Sequence, residues 1–229
     1  MSHESIATKF DQWAADGRDV GMEEGHGDVV RQAIEAMEIK SGERSLDLGC
    51  GNGWATRILA KSAPGASAIG VDVSPRMIAR AEDLSDLTMR VRFEPGRFEE
   101  LPFKEAFFDR VFSMEALYYA VDLARAVAEI HRVLKPSGRV EILMDRYRER
   151  PDSADWHEKL GLGMAFLSVS EWEELFGDAG FAAIETRRLV DSRGPGDPDT
   201  FEPSTHYPDW TTRVAAHEAG SLWIRGVKG

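Results

Sequence analysis

The chain has 229 residues, 42% hydrophobic and 30% charged, which supports one globular domain with a full core. Its net charge of −12 argues against a sequence-independent grip on nucleic-acid phosphates. Cys50 is the only cysteine, leaving no disulfide frame and no thiolate metal cluster, and no apolar run reaches membrane length.

Residues 1–40 read as an N-terminal helical cap. Ile6, Phe10 and Trp13 keep helical spacing, a polar loop covers Asp19–His26, and a second helix lies around Val30–Met37. Residues 41–190 alternate strands with helices. Ser45–Leu48 is the first strand and Asn52–Lys61 the helix after it; Ser67–Val73 is the second strand. That strand stops at Ser74-Pro75, a good N-cap followed by a residue suited to the first helical position, and the helix runs to about Leu84. Met89–Phe93 and Phe108–Met114 supply two further strands. Leu123, Ala126, Val127, Ile130 and Leu134 keep helical spacing until Lys135-Pro136-Ser137-Gly138 stops the helix, and Arg139–Met144 is the fifth strand. Ser170-Glu171-Trp172-Glu173 has the pattern of a capping box and opens a helix that ends near Gly180. Phe181–Val190 and Ser221–Val227 are the last strands. Residues 191–213, with His206, Tyr207 and Trp210, form a Pro/Gly/Asp-rich variable loop or lid, and 214–229 carry the strand that completes the sheet. Two arginine groups, Arg90/Arg92/Arg97 and Arg146/Arg148/Arg150, read as solvated faces.

Such alternation implies an α/β fold: a Rossmann-like, mostly parallel sheet with helices on both faces, binding ligands beyond the carboxyl ends of its strands. The stretch Leu46-Asp47-Leu48-Gly49-Cys50-Gly51-Asn52-Gly53 marks that end of the first strand. Its glycines tolerate positive φ and admit a ligand close to the backbone, just ahead of a helix N-terminus. The dinucleotide fingerprint fails here, because Trp54 occupies the slot of the third glycine, which disfavours a nicotinamide-dependent oxidoreductase. A Walker loop fails as well, since no Gly-Lys-Ser/Thr follows. Asp47 would repel a pyrophosphate but attract a cationic amino or sulfonium group.

In this setting the chain resembles the class I S-adenosylmethionine-dependent methyltransferases of the type 11 group. The resemblance runs over roughly residues 44–145 and rests on five segments in order. They are Asp47-x-Gly49-x-Gly51-x-Gly53, Gly70-Val71-Asp72-Val73-Ser74-Pro75, Gly96–Phe103, Phe108-Asp109-Arg110-Val111 and Leu134–Arg139. It implies a seven-stranded sheet and S-adenosylmethionine as cofactor, with S-adenosylhomocysteine as product. Gly49, Gly51 and Gly53 would line the methionine and ribose part, with Asp47 near the amino group. Asp72 would accept from the ribose hydroxyls, since a carboxylate accepts strongly from a diol. Val73 and Met77 would pack on the adenine, and Ser113 and Met114 would contact the methionine end. Arg97 stands where many relatives carry an aspartate that meets the adenine amino group, so that contact is expected from the backbone at Phe98, from another residue or from solvent.

Methyl transfer from a sulfonium needs alignment and exclusion of water, with a general base only for a protonated nucleophile. Substrate-side candidates are Glu115, Tyr118 and Tyr119 after the fourth strand, and His26. The sequence after that strand, Ser113-Met114-Glu115-Ala116, lacks the Asp/Asn-Pro-Pro-Tyr/Phe of amino-group methylases acting on adenine or glutamine. Cys50 lies inside the cofactor turn and cannot serve cytosine methylation. The expected acceptor is therefore a small molecule, with a protein substrate or a non-catalytic cofactor-binding role as alternatives. Neither a nucleic-acid nor a membrane partner is expected, and the expected compartment is the cytoplasm.

Overall fold

The computed structural model describes residues 2–153, 156–204 and 206–229. Two helices, α1 (His3–Ala15) and α2 (Gly21–Ala36), precede the alternating region. It then runs β1 (Arg44–Leu48), α3 (Trp54–Lys61), β2 (Ser67–Asp72), α4 (Pro75–Asp83), β3 (Val91–Pro95) and β4 (Phe108–Met114). After a short 3-10 turn at Leu117–Tyr119 come α5 (Leu123–Val133), β5 (Leu134–Met144), α6 (Trp156–Leu160) and α7 (Val169–Asp178). The chain closes with β6 (Phe181–Leu189), α8 (Trp210–Ala219) and β7 (Ser221–Lys228).

The seven strands form one sheet in the order β3-β2-β1-β4-β5-β7-β6. β1 to β5 are parallel, and β7 enters antiparallel between β5 and β6. Alternate strand residues feed opposite faces, as a period of two requires. Val111, Ile142 and Ile224 join the core under α5 and α7, while Phe112, Leu143 and Trp223 join the core under α2 and α3. Strand order reverses between β1 and β4, so their carboxyl ends open the crevice where such sheets bind ligands.

Four local departures from the sequence expectations have physical causes. α2 begins at Gly21, so Gly21–His26 is helical and His26 sits on a helix; Glu23 and Glu24 in the first turn offset the poor propensity of its glycines. β3 starts two residues late, because Asp86 closes a turn onto the backbone N–H groups of Thr88 and Met89. The capping box uses Ser168 and Glu171, one half-turn before the expected pair. Trp172 and Phe176 then fall on one buried face, and Glu173 is free to accept from Thr186 Oγ1 at 2.7 Å. Finally, α8 emerges inside the stretch expected to be irregular. Asp209 caps it by accepting from Thr212 N at 2.7 Å, which offsets the weak helix propensity of Trp210, Thr211 and Thr212.

Candidate functional site

The turn after β1 is tied down before any ligand is considered. Gly49 N and Cys50 N both donate to Val71 O, at 2.8 and 3.1 Å. Gly49, Gly51 and Gly53 all take positive φ, but for different reasons. A Cβ on Gly49 would sit 2.2 Å from the Ala116 Cβ, and one on Gly53 would meet the Phe93 ring at 2.5 Å. A Cβ on Gly51 would meet nothing within 4 Å, because it faces open space. Only at Gly51 would a side chain enter open space, while the other two glycines allow close packing. Cys50 is buried with its thiol pushed well up by burial, so it is no nucleophile at neutral pH.

That open space is a pocket of about 950 Å³, continuous with solvent, at the carboxyl ends of β1, β2 and β4. Asp47, Gly49, Gly51, Asp72, Val73, Met77, Arg97, Phe98 and Met114 all line it. Gly53 and Ser113 do not: Gly53 faces β3, and Ser113 is fully buried, donating to Leu48 O at 2.8 Å. Asp72 accepts from Gly51 N and Ser74 N, each at 2.9 Å, one per oxygen. Ser74 itself caps α4, so the Asp72 carboxylate is not needed as the cap. Burial pushes Asp72 up to about 6 against those backbone bonds. Asp47 accepts from Thr56 Oγ1 at 2.6 Å; burial pushes it up to about 7 despite that bond, and the nearby Asp72 charge adds to the rise.

α1 forms the outer wall. Phe10 and Trp13 line the pocket, and Phe10 meets the Tyr119 ring edge-on at 5.4 Å. Two polar ties hold the helix there. His3 Nε2 lies 2.8 Å from Glu99 Oε2, and Asp11 accepts from Ser74 Oγ at 2.6 Å and Arg76 N at 3.0 Å. Among the described residues, Trp13 Nε1, Asp19 Oδ1 and Asn52 Oδ1 are buried without hydrogen-bond partners, and all three residues line this pocket. The two orphaned oxygens and the carboxylates fit a ligand with donors and positive charge, while the Trp13 indole N–H is left to donate to an acceptor.

A second, wider cavity of about 1850 Å³ adjoins the first, and Glu115 and Tyr119 wall both. His26 and Tyr118 line this second cavity only. Glu115 holds a left-handed backbone (φ 52°), uncommon for a non-glycine residue. Its carboxylate accepts from Tyr118 Oη at 2.8 Å and from Asp145 N. Burial, reinforced by the Asp145 charge, pushes Glu115 upward. Burial also raises Tyr118 strongly and takes Tyr119 to about 12, so neither phenol ionises at neutral pH. His26 Nδ1 stands 3.7 Å from Asp145 Oδ2, and Arg150 pairs with the other Asp145 oxygen at 2.7 Å. Burial would raise Asp145, but Arg150 and His26 outweigh it and hold it at about 2.

Sequence reasoning missed the charged cluster behind this cavity. Arg146 and Arg150 are each only 6% exposed and pair with Asp152, whereas Arg148 between them is exposed. The solvated-face reading is therefore corrected for Arg146 and Arg150, while Arg90, Arg92 and Arg97 are exposed as expected. Asp145 and Asp152 flanking the arginines were the available signal. Asp19, whose Oδ2 takes Asn52 Nδ2 at 3.1 Å and Arg80 Nε at 3.2 Å, carried no local signal at all.

A Rossmann-like sheet with a glycine turn, an acid ending β2 and an apolar pocket at the switch point defines a nucleotide-cofactor-binding α/β protein. Residues 46–142 match the family model described as a methyltransferase domain. A 27-O-demethylrifamycin SV methyltransferase from Amycolatopsis mediterranei is 28% identical over 192 residues, 80% of this chain and 65% of that protein. An uncharacterized methyltransferase from Synechocystis is 34% identical over 151 residues, 64% of this chain and 67% of its own length. A solved complex between the Haloferax volcanii Trm112 methyltransferase activator and a putative methyltransferase contains a chain 35% identical to this one. That match has a TM-score of 0.88 and covers 95% of this chain and 96% of the other. The chain belongs to the class I S-adenosylmethionine-dependent methyltransferases. It spans about half the length of the curated relatives it matches, from 31% to 67% among five of them. Among the described residues, no helix is long and apolar enough to cross a membrane.

Proposed function

We propose that the chain transfers a methyl group from S-adenosylmethionine to a small-molecule acceptor, with the cytoplasm as its compartment. One observation carries this reading: a carboxylate-lined pocket and a second cavity meet at Glu115 and Tyr119, so two ligands can face each other across that junction. Asp72 would hold the ribose hydroxyls, using the acceptor capacity left by its two backbone bonds. Asp47 would face the amino group, and Gly49 and Gly51 would leave room for the methionine and ribose. Val73 and Met77 would cover the adenine, with Arg97 and Phe98 at its edge and Met114 beside the methionine end. Gly53 and Ser113 would act behind the wall, shaping the turn.

Bound there, the cofactor supplies a methyl group made electrophilic by a sulfonium. Phe10 and Trp13 would keep water from the junction, and Glu115 and Tyr119 would orient the acceptor. His26 would accept the proton of a protonated acceptor nucleophile, with Asp145 holding the imidazolium. Calorimetric titration of S-adenosylmethionine and S-adenosylhomocysteine tests the donor half. Wild type should bind at micromolar strength, on the order of −8 kcal/mol. Asp72→Ala should lose at least ~1.5 kcal/mol. Binding of NADH in place of both ligands would sink the reading, and turnover with an acceptor panel separates an enzyme from a non-catalytic cofactor binder.

The Haloferax neighbour favours a second reading, in which an activator subunit assembles with the chain, and a protein acceptor is the alternative to be tested with it. Methyl incorporation into protein, appearing only when a Trm112-type chain is added, would favour it over the small-molecule reading.

A further inference from the structure

The wall of the second cavity has a charge character opposite to that of the chain. The molecule carries 40 acidic against 28 basic residues. Among the described residues, the cavity wall nevertheless holds five arginines, no lysine and four carboxylates. Arg150 and Arg193 have acidic partners in Asp145 and Asp191. Arg18 and Arg213 form no ion pair among the described residues. Arg18 lies over the Trp13 ring at 4.3 Å, and Arg213 lies over the Tyr207 ring at 4.6 Å. Deeper, and among the described residues, Arg146 meets Asp152 through Nη1 alone, stacks over Trp156 at 4.3 Å and keeps its buried Nε without a partner. His206 rests on the same Trp156 ring at 4.7 Å. Burial lowers His206, and the Arg146, Lys159 and Arg18 charges lower it further, against an opposing contribution from Asp152.

Arginine presents a fork of N–H donors matched to carboxylate and phosphate oxygens, and a partnerless buried donor costs stability until something accepts from it. We propose that the second cavity binds the methyl acceptor through an anionic carboxylate or phosphate group. Arg146 receives that group at depth, and Arg18 and Arg213 attract it at the mouth. The acceptor's nucleophilic end then lies at the Glu115–Tyr119 junction, away from the arginines. This inference rests on the small-molecule reading and names the acceptor's chemical class.

Tryptophan fluorescence reports the cavity directly, because Trp13 and Trp156 are in its wall. S-adenosylhomocysteine affinity is measured first. The S-adenosylhomocysteine-saturated protein is then titrated with inorganic phosphate and, separately, with benzoate, at constant ionic strength set with chloride. Saturable binding is expected for at least one of them, with a dissociation constant of about 1 mM or tighter. The arm that saturates at the lower concentration identifies phosphate or carboxylate as the group. Arg146→Gln should weaken that binding at least tenfold. The double variant Arg18→Gln/Arg213→Gln, altered only at the exposed or half-buried mouth, should weaken it at least threefold with S-adenosylhomocysteine affinity retained. No saturation by either anion in protein that binds S-adenosylhomocysteine overturns this proposal alone, as does equal binding by wild type and the double variant. Failure to bind S-adenosylhomocysteine instead overturns the donor reading on which it rests.

Discussion

Asp47 shows how a single carboxyl can oppose stability while preparing a site. Its folded pKa of about 7 lies above the ordinary 3.8, so the folded state binds more protons and the group's contribution falls as pH rises between those values. At pH 8 the resulting penalty in the ligand-free protein is on the order of 4 kcal/mol, taking ~1.4 kcal/mol per unit. Asp47→Asn, which can still accept from Thr56, should therefore melt at least ~3 °C higher than wild type at pH 8 without ligand. The same variant should bind S-adenosylmethionine at least ~10-fold more weakly, and wild-type affinity should climb from pH 6 to pH 8 as the carboxyl ionises. A flat affinity over that range would show that the Asp47 charge does not face the ligand. Asp47, Gly51 and Asp72 were legible in the sequence because a turn motif sets their chemistry locally. Arg146 and Arg150 were not, since their burial depends on Asp145, Asp152 and Trp156 arriving from different directions. Charged side chains close in sequence are solvated by default, and only tertiary packing reverses that.

At the scale of elements, α1 packs on α4 rather than on the sheet, and it walls the first pocket. Its ties to the rest are few, and the Asp11 carboxylate carries two of them onto the start of α4. Hydrogen bonds to a charged group each contribute about 1.5–3 kcal/mol when buried and less when half-exposed, as here. Asp11→Ala should thus loosen α1 without unfolding the sheet. The expected signs are a roughly 3–10-fold faster release of S-adenosylhomocysteine in stopped-flow fluorescence and a nearly unchanged global melting temperature. Equal release rates would mean that α1 does not cover the bound ligand. The strands from β1 to β4 were legible to within a few residues, because apolar runs bounded by Gly, Pro and Asx turns leave little choice of boundary; β5 instead begins at Leu134, five residues early, so Lys135-Pro136-Ser137-Gly138 lies within the strand, across a register shift against β4. The start of α2 was not, since Gly21, Gly25 and Gly27 imitate a loop and only burial of Gly27 and Val30 against the core makes them helical. α8 escaped for a related reason: its first turn has poor propensity, and the single cue was Asp209 as a cap.

For the molecule as a whole, charge is segregated: a net charge of −12 overall, with an arginine-rich cavity inside it. Binding to a polyphosphate backbone depends on many cations releasing counterions together, and a recessed cluster cannot engage a duplex in that way. Fluorescence anisotropy with random-sequence duplex DNA and single-stranded RNA at 150 mM salt should give dissociation constants weaker than about 10⁻⁵ M. Micromolar, salt-sensitive binding would overturn the exclusion of nucleic acid as a partner.

The contact between Gly49 and Ala116 has a consequence for how such a chain can vary. The turns after β1 and β4 approach so closely that a methyl group added at Gly49 would overlap the methyl already present at Ala116. The identity of the motif glycine is thereby set, beyond its positive φ, by a residue far along the chain that lines the same pocket. The two positions must drift together: a bulkier residue at 116 is admissible only if the first turn retreats, and that retreat would displace the donor site. Ala116 is a hidden member of the motif, conveying to the donor turn any change that enlarges the wall opposite.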